Sequence, residues 1–533
     1  MRKLLLQLCI LLPVISFAQQ PSRNIVSPDT VKPKRSDSLL VDTTDYWKDT
    51  LNPIRDNKIW RDGEVTKPVK PRPKKRKFQI RFSDRIEYAF LVDNPLTIGA
   101  GVETSLLLQK KLGAWRDSLL PPYFGGDSTQ AQRRRARIYR AAKIFLIDAP
   151  FESLVITVQQ DFFGHMARMR EFDLKSKYTI RPINFISFWK PVGYISFDRP
   201  KIETEASRQQ LGQIASASLE AGSIASDLIA MRWMQRKAVF YQEALHNLRI
   251  QLAGLSEVLT VSNNPQTGRS SAEDWLYYTN RQYGFYSEYG YKASTMKRDY
   301  AIATFTNPTL YTSLYSVFYN YLINGSDSMR TPAIKIGYGK YALPWVRYNF
   351  TPLGPEWIPE LTLTRHRHVL NVYGRIGTGV FARSYGGGIR LNNFLRNDFV
   401  SLNAQVAFWN QPYLFKNWVN QEILTIGTGG AATVTGYFKI TKGWHFPISV
   451  VAQVGYKTRG FMQGEVWQAA PILRIGLSFA LDKDFEEDYN YPQYEEIKTK
   501  KEKKKEAYDA KKKARAKASS NKPPQPRQNP YVK

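Results

Sequence analysis

The sequence predicts a mainly β fold: a transmembrane antiparallel β-barrel of about eight to twelve strands, with an inserted α-helical module and disordered termini. Three observations support this fold class. Polar and apolar residues alternate with a period of two in the C-terminal part of the chain, the middle of the chain follows a helical period, and an export signal precedes both. We expect the protein to lie in the cell outer membrane, with its N- and C-terminal tails in the periplasm.

The first 18 residues, MRKLLLQLCILLPVISFA, predict a secretory signal peptide. A basic Arg2-Lys3 pair comes first, an apolar stretch over residues 4–15 follows, and Ser16-Phe17-Ala18 fits the cleavage site. An uncleaved anchor is the alternative, but the apolar stretch is shorter than the roughly 20 residues that span a bilayer. Cleavage removes Cys9, the only cysteine of the chain, so we expect the exported protein to fold without disulfides.

Residues 19–77 are rich in Pro, Asp, Ser, Thr and Lys, and they predict a disordered periplasmic linker. Four tripeptides in this linker resemble the acceptor of periplasmic O-glycosylation in the Bacteroidota, in which Asp precedes Ser or Thr. They are Asp29-Thr30-Val31, Asp37-Ser38-Leu39, Asp42-Thr43-Thr44 and Asp49-Thr50-Leu51. Chance recurrence in an Asp- and Thr-rich stretch is the alternative.

Residues 78–147 are predicted to form the first strands and a loop. The segment 78–110 resembles two strands joined by a turn at Asn94-Pro95, and a basic patch follows at Arg133-Arg134-Arg135-Ala136-Arg137. Residues 148–325 predict a helical module. Its clearest helices cover 150–172, 205–259 and 297–323, with a Gly-, Ser- and Asn-rich break near 262–271.

Residues 326–482 are predicted to supply most of the barrel strands. Alternation is clear in four segments of about ten residues, which is what a tilted strand needs to cross a bilayer. These segments are 399–408, 432–440, 448–457 and 472–481. A soluble sandwich would turn the apolar face inward, whereas a barrel turns it toward lipid. Small and polar residues on the other face favour the barrel, as do five aromatic residues beside the apolar bands: Trp409, Tyr413, Trp418, Trp444 and Trp467.

The segment APILRIGLSFALDKDF near the end of this region resembles the closing strand of an outer-membrane β-barrel protein of the Bacteroidota type. In that family the alternating apolar residues and a late aromatic residue form the signal for barrel insertion. The resemblance places this signal on Leu473, Ile475, Leu477 and Phe479. Such chains usually end at this strand, whereas here residues 483–533 continue as a tail.

The segment VQQDFFGHMARMRE, residues 158–171, supplies the candidate chemistry. Asp161 and His165 lie one helical turn apart, and two acids, Glu220 and Asp227, lie on the next long helix. This order is similar to the helix pair of zincin-like metalloproteases, and it implies a zinc site formed by Asp161, His165 and Glu220. The motif is degenerate, because Asp161 replaces the first His and Phe162 replaces the general base Glu. A working hydrolase, a relic scaffold and ordinary helix packing all remain open.

The other histidines and the glycine runs predict no further site. We interpret His246 as a helix-surface or core residue. His366 and His368 are predicted to be a solvated or headgroup-facing pair, although their spacing also permits metal binding. Gly386-Gly387-Gly388 and Gly427-Thr428-Gly429-Gly430 lack the Lys-Ser/Thr ending of a phosphate loop. The helix at 300–323 is rich in aromatic residues, and it predicts either a membrane-interface position or burial within the module.

The tail is acidic and Tyr-rich first and strongly basic afterwards. Eight lysines are predicted to bind a partner: Lys500, Lys501, Lys503, Lys504, Lys505, Lys511, Lys512 and Lys513. An exported chain seldom meets nucleic acid, so an anionic envelope polymer, lipid headgroups or an acidic protein surface fits better. A solvated spacer is the alternative.

These observations predict a non-catalytic outer-membrane β-barrel component, an accessory or scaffold subunit of an envelope assembly, secretion or biogenesis complex. Its expected partners are outer-membrane lipid and other envelope proteins, and no cofactor is expected, with zinc as the exception that the degenerate motif leaves open. A membrane-embedded zinc-dependent hydrolase and an outer-membrane pore or transporter are the alternatives.

Overall fold

The computed structural model describes residues 87–120, 130–180, 193–196, 206–282, 290–337, 340–365, 368–379, 383–396, 399–416, 422–440, 448–480 and 507–509. The predicted signal peptide, the linker of residues 19–77 with its four tripeptides, and the eight tail lysines lie outside these ranges.

A ten-stranded antiparallel sheet dominates the C-terminal half, in the order β1-β14-β13-β12-β11-β10-β9-β8-β7-β6. β1 pairs with β14 along its whole length, so the first strand lies beside the last. Two short antiparallel pairs, β2-β3 and β4-β5, lie outside this sheet. The strands are β1 (Glu87–Val92), β2 (Lys177–Ile180), β3 (Gly193–Ser196), β4 (Ala238–Phe240), β5 (Ser328–Arg330), β6 (Ile334–Gly337), β7 (Lys340–Thr351), β8 (Gly354–Arg365), β9 (His368–Gly377), β10 (Tyr385–Arg396), β11 (Val400–Lys416), β12 (Glu422–Lys439), β13 (Ile448–Lys457) and β14 (Ala470–Ala480).

The four alternating segments of the sequence fall in β11 to β14, as predicted. Along β11, Val406 and Phe408 are 57% and 60% exposed, whereas Ser401 is 2% exposed. Successive side chains of a strand point to opposite faces, so every strand of this type has one apolar exposed face and one polar buried face. We call the face that packs against the helices the inner face and the opposite one the outer face.

The helices form the connection between β1 and β6. The α-helices are α1 (Ile98–Leu119), α2 (Gln130–Lys143), α3 (Ala149–Thr157), α4 (Met166–Glu171), α5 (Arg208–Arg236), α6 (Tyr241–Leu259), α7 (Ser271–Gln282), α8 (Ala293–Thr306) and α9 (Pro308–Leu314), and π-helical segments cover Ile144–Asp148, Val158–His165 and Tyr315–Asn324. Residues 130–171 therefore follow one uninterrupted helical path. Among the described residues, no helix has both the length and the apolar character needed to cross a membrane.

The segment 98–110 was predicted to be a strand, and this prediction is wrong because α1 covers it. Ile98, Val102 and Leu106 recur every four residues and are buried together, which is the spacing of one helix face. Thr97 starts the helix, since its side chain accepts a hydrogen bond from the Ala100 N–H at 3.5 Å. The same residues also fit a run of apolar strand positions, so the local sequence does not distinguish a helix from a strand here.

The predicted single helix at 205–259 is two helices, α5 and α6. α5 begins at a capping box formed by Ser207 and Gln210, and it ends at Lys237, which has a left-handed φ of 61°. The chain then forms β4, which pairs with β5. The break near 262–271 is confirmed, because α6 ends before it and α7 begins at Ser271.

α5 is buried on nearly all sides and packs on β7, β8 and β9. One apolar cluster surrounds its C-terminal half, with Trp233, Tyr241 and Tyr321. A second cluster joins Trp275 of α7 to Phe350 of β7, with ring centroids 4.7 Å apart. The helices therefore cover the inner face of the sheet through apolar contacts at its β7 end.

Of the five aromatic residues predicted to lie beside the apolar bands, none is placed there among the described side chains. Trp409 and Trp467 are buried instead, and the side chains of Tyr413, Trp418 and Trp444 lie outside the described residues. Trp409 is the cross-strand partner of Gly429. A Cβ atom on Gly429 would lie 2.3 Å from the Trp409 Nε1 atom, so this glycine leaves room for the indole.

Candidate functional site

Both ring nitrogens of His165 already have partners. The Nδ1 atom lies 2.6 Å from the carbonyl oxygen of Ile214, and the Nε2 atom lies 3.0 Å from the hydroxyl oxygen of Ser271. Burial lowers the pKa of His165, which favours the neutral imidazole. Because the carbonyl only accepts, Nδ1 carries the proton and Nε2 accepts a hydrogen bond from Ser271.

Asp161 and Glu220 have different surroundings. Burial, and after it the nearby Glu257, raises the pKa of Asp161 to about 7. A carboxyl group that retains its proton is a poor metal ligand. Glu220 accepts hydrogen bonds from the Arg168 guanidinium at 2.7 and 2.9 Å and from the Gly464 N–H at 2.8 Å. Its negative charge is therefore already balanced by a buried arginine.

The structure does not bring the three predicted metal ligands together as a site. Within the described ranges, no group of three His, Cys, Asp or Glu side chains is arranged to hold a metal ion. The competing charge is the physical reason, because Arg168 forms an ion pair with Glu220 at 2.7 Å. Of the three interpretations of residues 158–171, helix packing agrees best with these contacts.

We expect His165→Ala to leave the zinc content of the purified protein unchanged. The substitution removes two hydrogen bonds and leaves the Ser271 hydroxyl and the Ile214 carbonyl without this partner. We therefore expect a loss of about 1–3 kcal/mol in the free energy of unfolding. Elemental analysis and denaturant unfolding measure the two effects, with Glu220→Gln as a second variant. Stoichiometric zinc that disappears on either substitution would contradict this assignment.

Ser271 and His165 form the first contact of a nucleophilic pair, but two described N–H groups that follow Ser271 already have partners. An oxyanion needs backbone N–H donors that are not already used. At the start of α7, the Ala272 N–H donates to Glu257 at 3.0 Å and the Glu273 N–H donates to the Ser270 hydroxyl at 3.2 Å. These donors cap the helix instead.

His246 is a core residue, in agreement with its prediction. It is fully buried, and its ring nitrogens lie 2.8 Å from a Glu152 carboxylate oxygen and 3.2 Å from the Gln159 side-chain oxygen. The Nδ1 atom of His368 lies 2.5 Å from the carbonyl oxygen of Asn393, and His366 lies outside the described residues. The glycine runs lie in β10 and β12, where they are strand residues.

Ion pairs line the inner face of the sheet where α5 crosses it. Arg347 of β7 donates to Glu360 of β8 at 2.5 Å and lies 3.5 Å from Asp227 of α5. Arg390 of β10 forms ion pairs with the same two acids. Asn371 of β9 donates to Glu360 at 3.1 Å. Two arginines and two acids thus form one neutral cluster that joins three strands to a helix.

Two further inner-face arginines are paired in the same way. Arg375 of β9 donates to Glu356 of β8 at 2.7 and 3.0 Å. Arg474 of β14 donates to Asp93, which follows β1, and to Glu465, each at 2.7 Å. A buried charge is costly unless it is paired, so each of these arginines needs an acid from a neighbouring segment.

A polar cavity of about 200 Å³ lies between α5 and the inner face. Its lining includes Asp227, Arg390 and Gln463, each of which has a buried polar atom without a hydrogen-bond partner among the described residues. A polar cavity of this size holds several water molecules, and each water needs two to four polar partners. The cavity can therefore hydrate the centre of the charged cluster.

The outer face is apolar across the sheet. Large hydrophobic side chains are exposed on it in every strand from β8 to β14, and also in β1 and β6: Phe90, Val92, Ile334, Ile336, Leu361, Val372, Ile376, Ile389, Leu391, Val406, Phe408, Ile426, Val434, Phe438, Val454, Leu473, Ile475 and Leu477. This distribution is the reverse of that in a water-soluble sheet protein, which buries its apolar face. Three of the four predicted insertion-signal residues lie here, and Phe479 is half-buried.

The inner-face charges are the functional residues that the sequence did not reveal. Within the alternating segment 472–481, Arg474 and Ser478 occupy polar positions of β14. Arg347 and Glu360 were not identified, and Asp227 was noted only as an acid on the same long helix as Glu220. The sequence does show charged residues at alternating positions of the strands. This pattern does not reveal which residue pairs with each charge.

Comparison of the chain with protein-family models, with curated proteins and with solved structures found no match.

Proposed function

We propose that this chain is an outer-membrane β-barrel protein with no catalytic role, which acts as an accessory or scaffold subunit of an envelope assembly, secretion or biogenesis complex. The observation that supports the membrane location is the reversed polarity of the sheet, with apolar side chains outside and paired charges inside. Exposed apolar surface of this extent is unfavourable in water and favourable against lipid. The predicted export signal agrees with this location.

Contacts of β1 with the segment that carries β4 support closure into a barrel. Tyr88 of β1 donates a hydrogen bond to Glu243, and Arg236 donates to the Tyr88 hydroxyl at 3.4 Å. Between these two residues lies β4, which pairs with β5, and β5 leads into β6. The segment 236–243 thus contacts β1, at one end of the sheet, and the strand β5, which precedes β6 at the other end. In lipid, unpaired backbone groups at a sheet edge are costly, which favours pairing of the two edge strands β1 and β6.

Cell fractionation tests the location, and electrophoresis tests the barrel. We expect the full-length chain to appear in the outer-membrane fraction of a Gram-negative host. We also expect it to migrate differently in SDS gels before and after boiling, because closed barrels resist SDS until they are heated. Recovery in the soluble fraction, without such a shift, would contradict the proposal. Mild-detergent purification with mass spectrometry tests the scaffold role, and recovery of the monomer alone would remove its support.

The helices on the inner face argue against an open pore. α5 crosses the inner face of the sheet, and its polar residues are engaged with strand residues there: Ser223 donates to Asn349 at 2.6 Å and accepts from Arg347 at 2.9 Å. We therefore expect the purified protein to show no single-channel conductance in planar bilayers. A porin of known conductance is the positive control, and stable unitary currents would instead support the pore alternative.

A further inference from the structure

α2 is a basic helix with little of its surface buried. Ala136, Arg140 and Lys143 are its only buried residues, and Arg140 and Lys143 are engaged inside: Arg140 donates to the Leu322 carbonyl at 3.1 Å, and Lys143 lies 2.8 Å from Asp117. The buried residues lie on one side of the helix. The opposite side is exposed.

That opposite side combines positive charge with apolar surface. Arg134 lies on this side, and Arg133 and Arg135 lie on its two flanks, because consecutive helical residues are about 100° apart. All three arginines are exposed, and no ion pair of theirs occurs among the described residues. Arg134 and Ile138 lie four residues apart and therefore on the same side of the helix. Ile138 is 61% exposed, and Leu146 in the π-helical continuation of α2 is 59% exposed.

Apolar side chains are also exposed at the end of α1. Arg116 of α1 pairs with Asp148 at 2.8 Å, and the rings of Trp115 and Phe151 meet edge to face at 6.2 Å, so the end of α1 lies beside the continuation of α2. Trp115 and Leu119 are exposed there. We call Arg133, Arg134, Arg135, Ile138, Leu146 and Trp115 the basic–apolar patch.

We propose that the basic–apolar patch binds the phosphate headgroups of an anionic lipid leaflet, with the arginines on the phosphates and the apolar side chains in the interfacial region. A helix surface that joins arginines to Trp, Ile and Leu has the composition of interfacial membrane helices. Nucleic acid offers phosphates without an apolar layer, and an acidic protein surface would not by itself cover Ile138 and Leu146. This inference rests on the proposed membrane location of the sheet.

Site-specific labelling tests the patch in the full-length protein. Cys9 is the only cysteine and lies in the predicted signal peptide, so single cysteines can be introduced at Ile138 and, as a control outside the patch, at the exposed loop residue Asn264. Each is labelled with an environment-sensitive fluorophore, and the protein is reconstituted in nanodiscs of phosphatidylcholine with or without phosphatidylglycerol. We expect a blue shift and quenching by headgroup-attached nitroxides at position 138 only, and more strongly with phosphatidylglycerol.

Charge removal gives the second readout. We combine three substitutions in the unlabelled protein: Arg133→Gln, Arg134→Gln and Arg135→Gln. Each charge near an anionic surface contributes about 1 kcal/mol, so the affinity for phosphatidylglycerol should fall by roughly 100-fold. The boiled and unboiled gel migration of this variant should match that of the parent, which shows that the sheet is intact.

Three outcomes are decisive. A label at position 138 that behaves like the one at position 264 in both lipids, in a protein that still shows the gel shift, overturns the patch but not the membrane location. Failure to enter nanodiscs at all overturns the membrane location first. The label at position 138 could instead respond only to a co-purified acidic protein in detergent, with no effect of lipid. That result would assign the patch to a protein partner and overturn the lipid assignment.

Discussion

Glu360→Leu is expected to lower the free energy of unfolding by about 3–5 kcal/mol, because it leaves buried positive charge without its partner. Glu360 is fully buried and serves both Arg347 and Arg390. After the substitution, those two arginines share the single carboxylate of Asp227. Equilibrium denaturation of the protein in lipid vesicles, followed by tryptophan fluorescence, measures the effect.

A double substitution separates charge balance from packing. Arg347→Met combined with Glu360→Leu leaves one pair, Arg390 with Asp227, so the cluster is neutral again. We expect the double variant to be less destabilised than the sum of the two single variants by about 0.5–3 kcal/mol. Strictly additive losses would show that the cluster is not a coupled electrostatic unit. Glu360→Gln keeps the size of the side chain and isolates the charge.

Val406→Arg is expected to destabilise the vesicle-embedded protein by about 2–4 kcal/mol if Val406 faces the middle of the bilayer. Val406 lies on the outer face of β11 and is more than half exposed. In a water-soluble protein, a charge at such an exposed position changes stability by only about 0.5 kcal/mol. The same denaturation assay measures the loss, and it therefore distinguishes contact with lipid from contact with water.

Two matched variants control this experiment. Val406→Leu keeps the apolar character of the site, and we expect it to leave stability nearly unchanged. Asn264→Arg places the same charge on an exposed loop residue away from the sheet, where neither hypothesis predicts a large effect. Equal stability of Val406→Arg and the parent protein would argue that the outer face does not contact the bilayer core.

The strands β11 to β14 were predictable because their alternation is regular and continues for about ten residues, long enough to exclude a helical period. The segment 98–110 was not predictable, since an apolar run of this length satisfies both periods. Its helix depends on Thr97 as a cap and on burial against α5, and the second of these is a contact distant in sequence. The same applies to the break at Lys237, which exists because β4 pairs with a strand about 90 residues further along the chain.

The candidate site shows the same difference between what the local sequence predicts and what contacts distant in sequence decide. The zincin-like order of Asp161, His165 and Glu220 suggested a metal site, because sequence shows spacing and residue type but not the partners that already occupy each side chain. Ile214, Ser271 and Arg168 supply those partners from other segments. The sequence differs from the protease motif at Phe162, which replaces the general base. This difference already argued against a working metal site.

The sequence by itself determined that the C-terminal half forms two-faced strands, that the middle of the chain is helical, and that the polar residues of the strands share one face. Only the tertiary structure decided that the polar face is covered by helices and that the apolar face is exposed. The physical reason is that a period of two separates the two kinds of residue without stating which side meets solvent, lipid or protein. That choice is made when Asp227 of α5 reaches the arginines of β7 and β10, because buried charges require partners from distant parts of the chain.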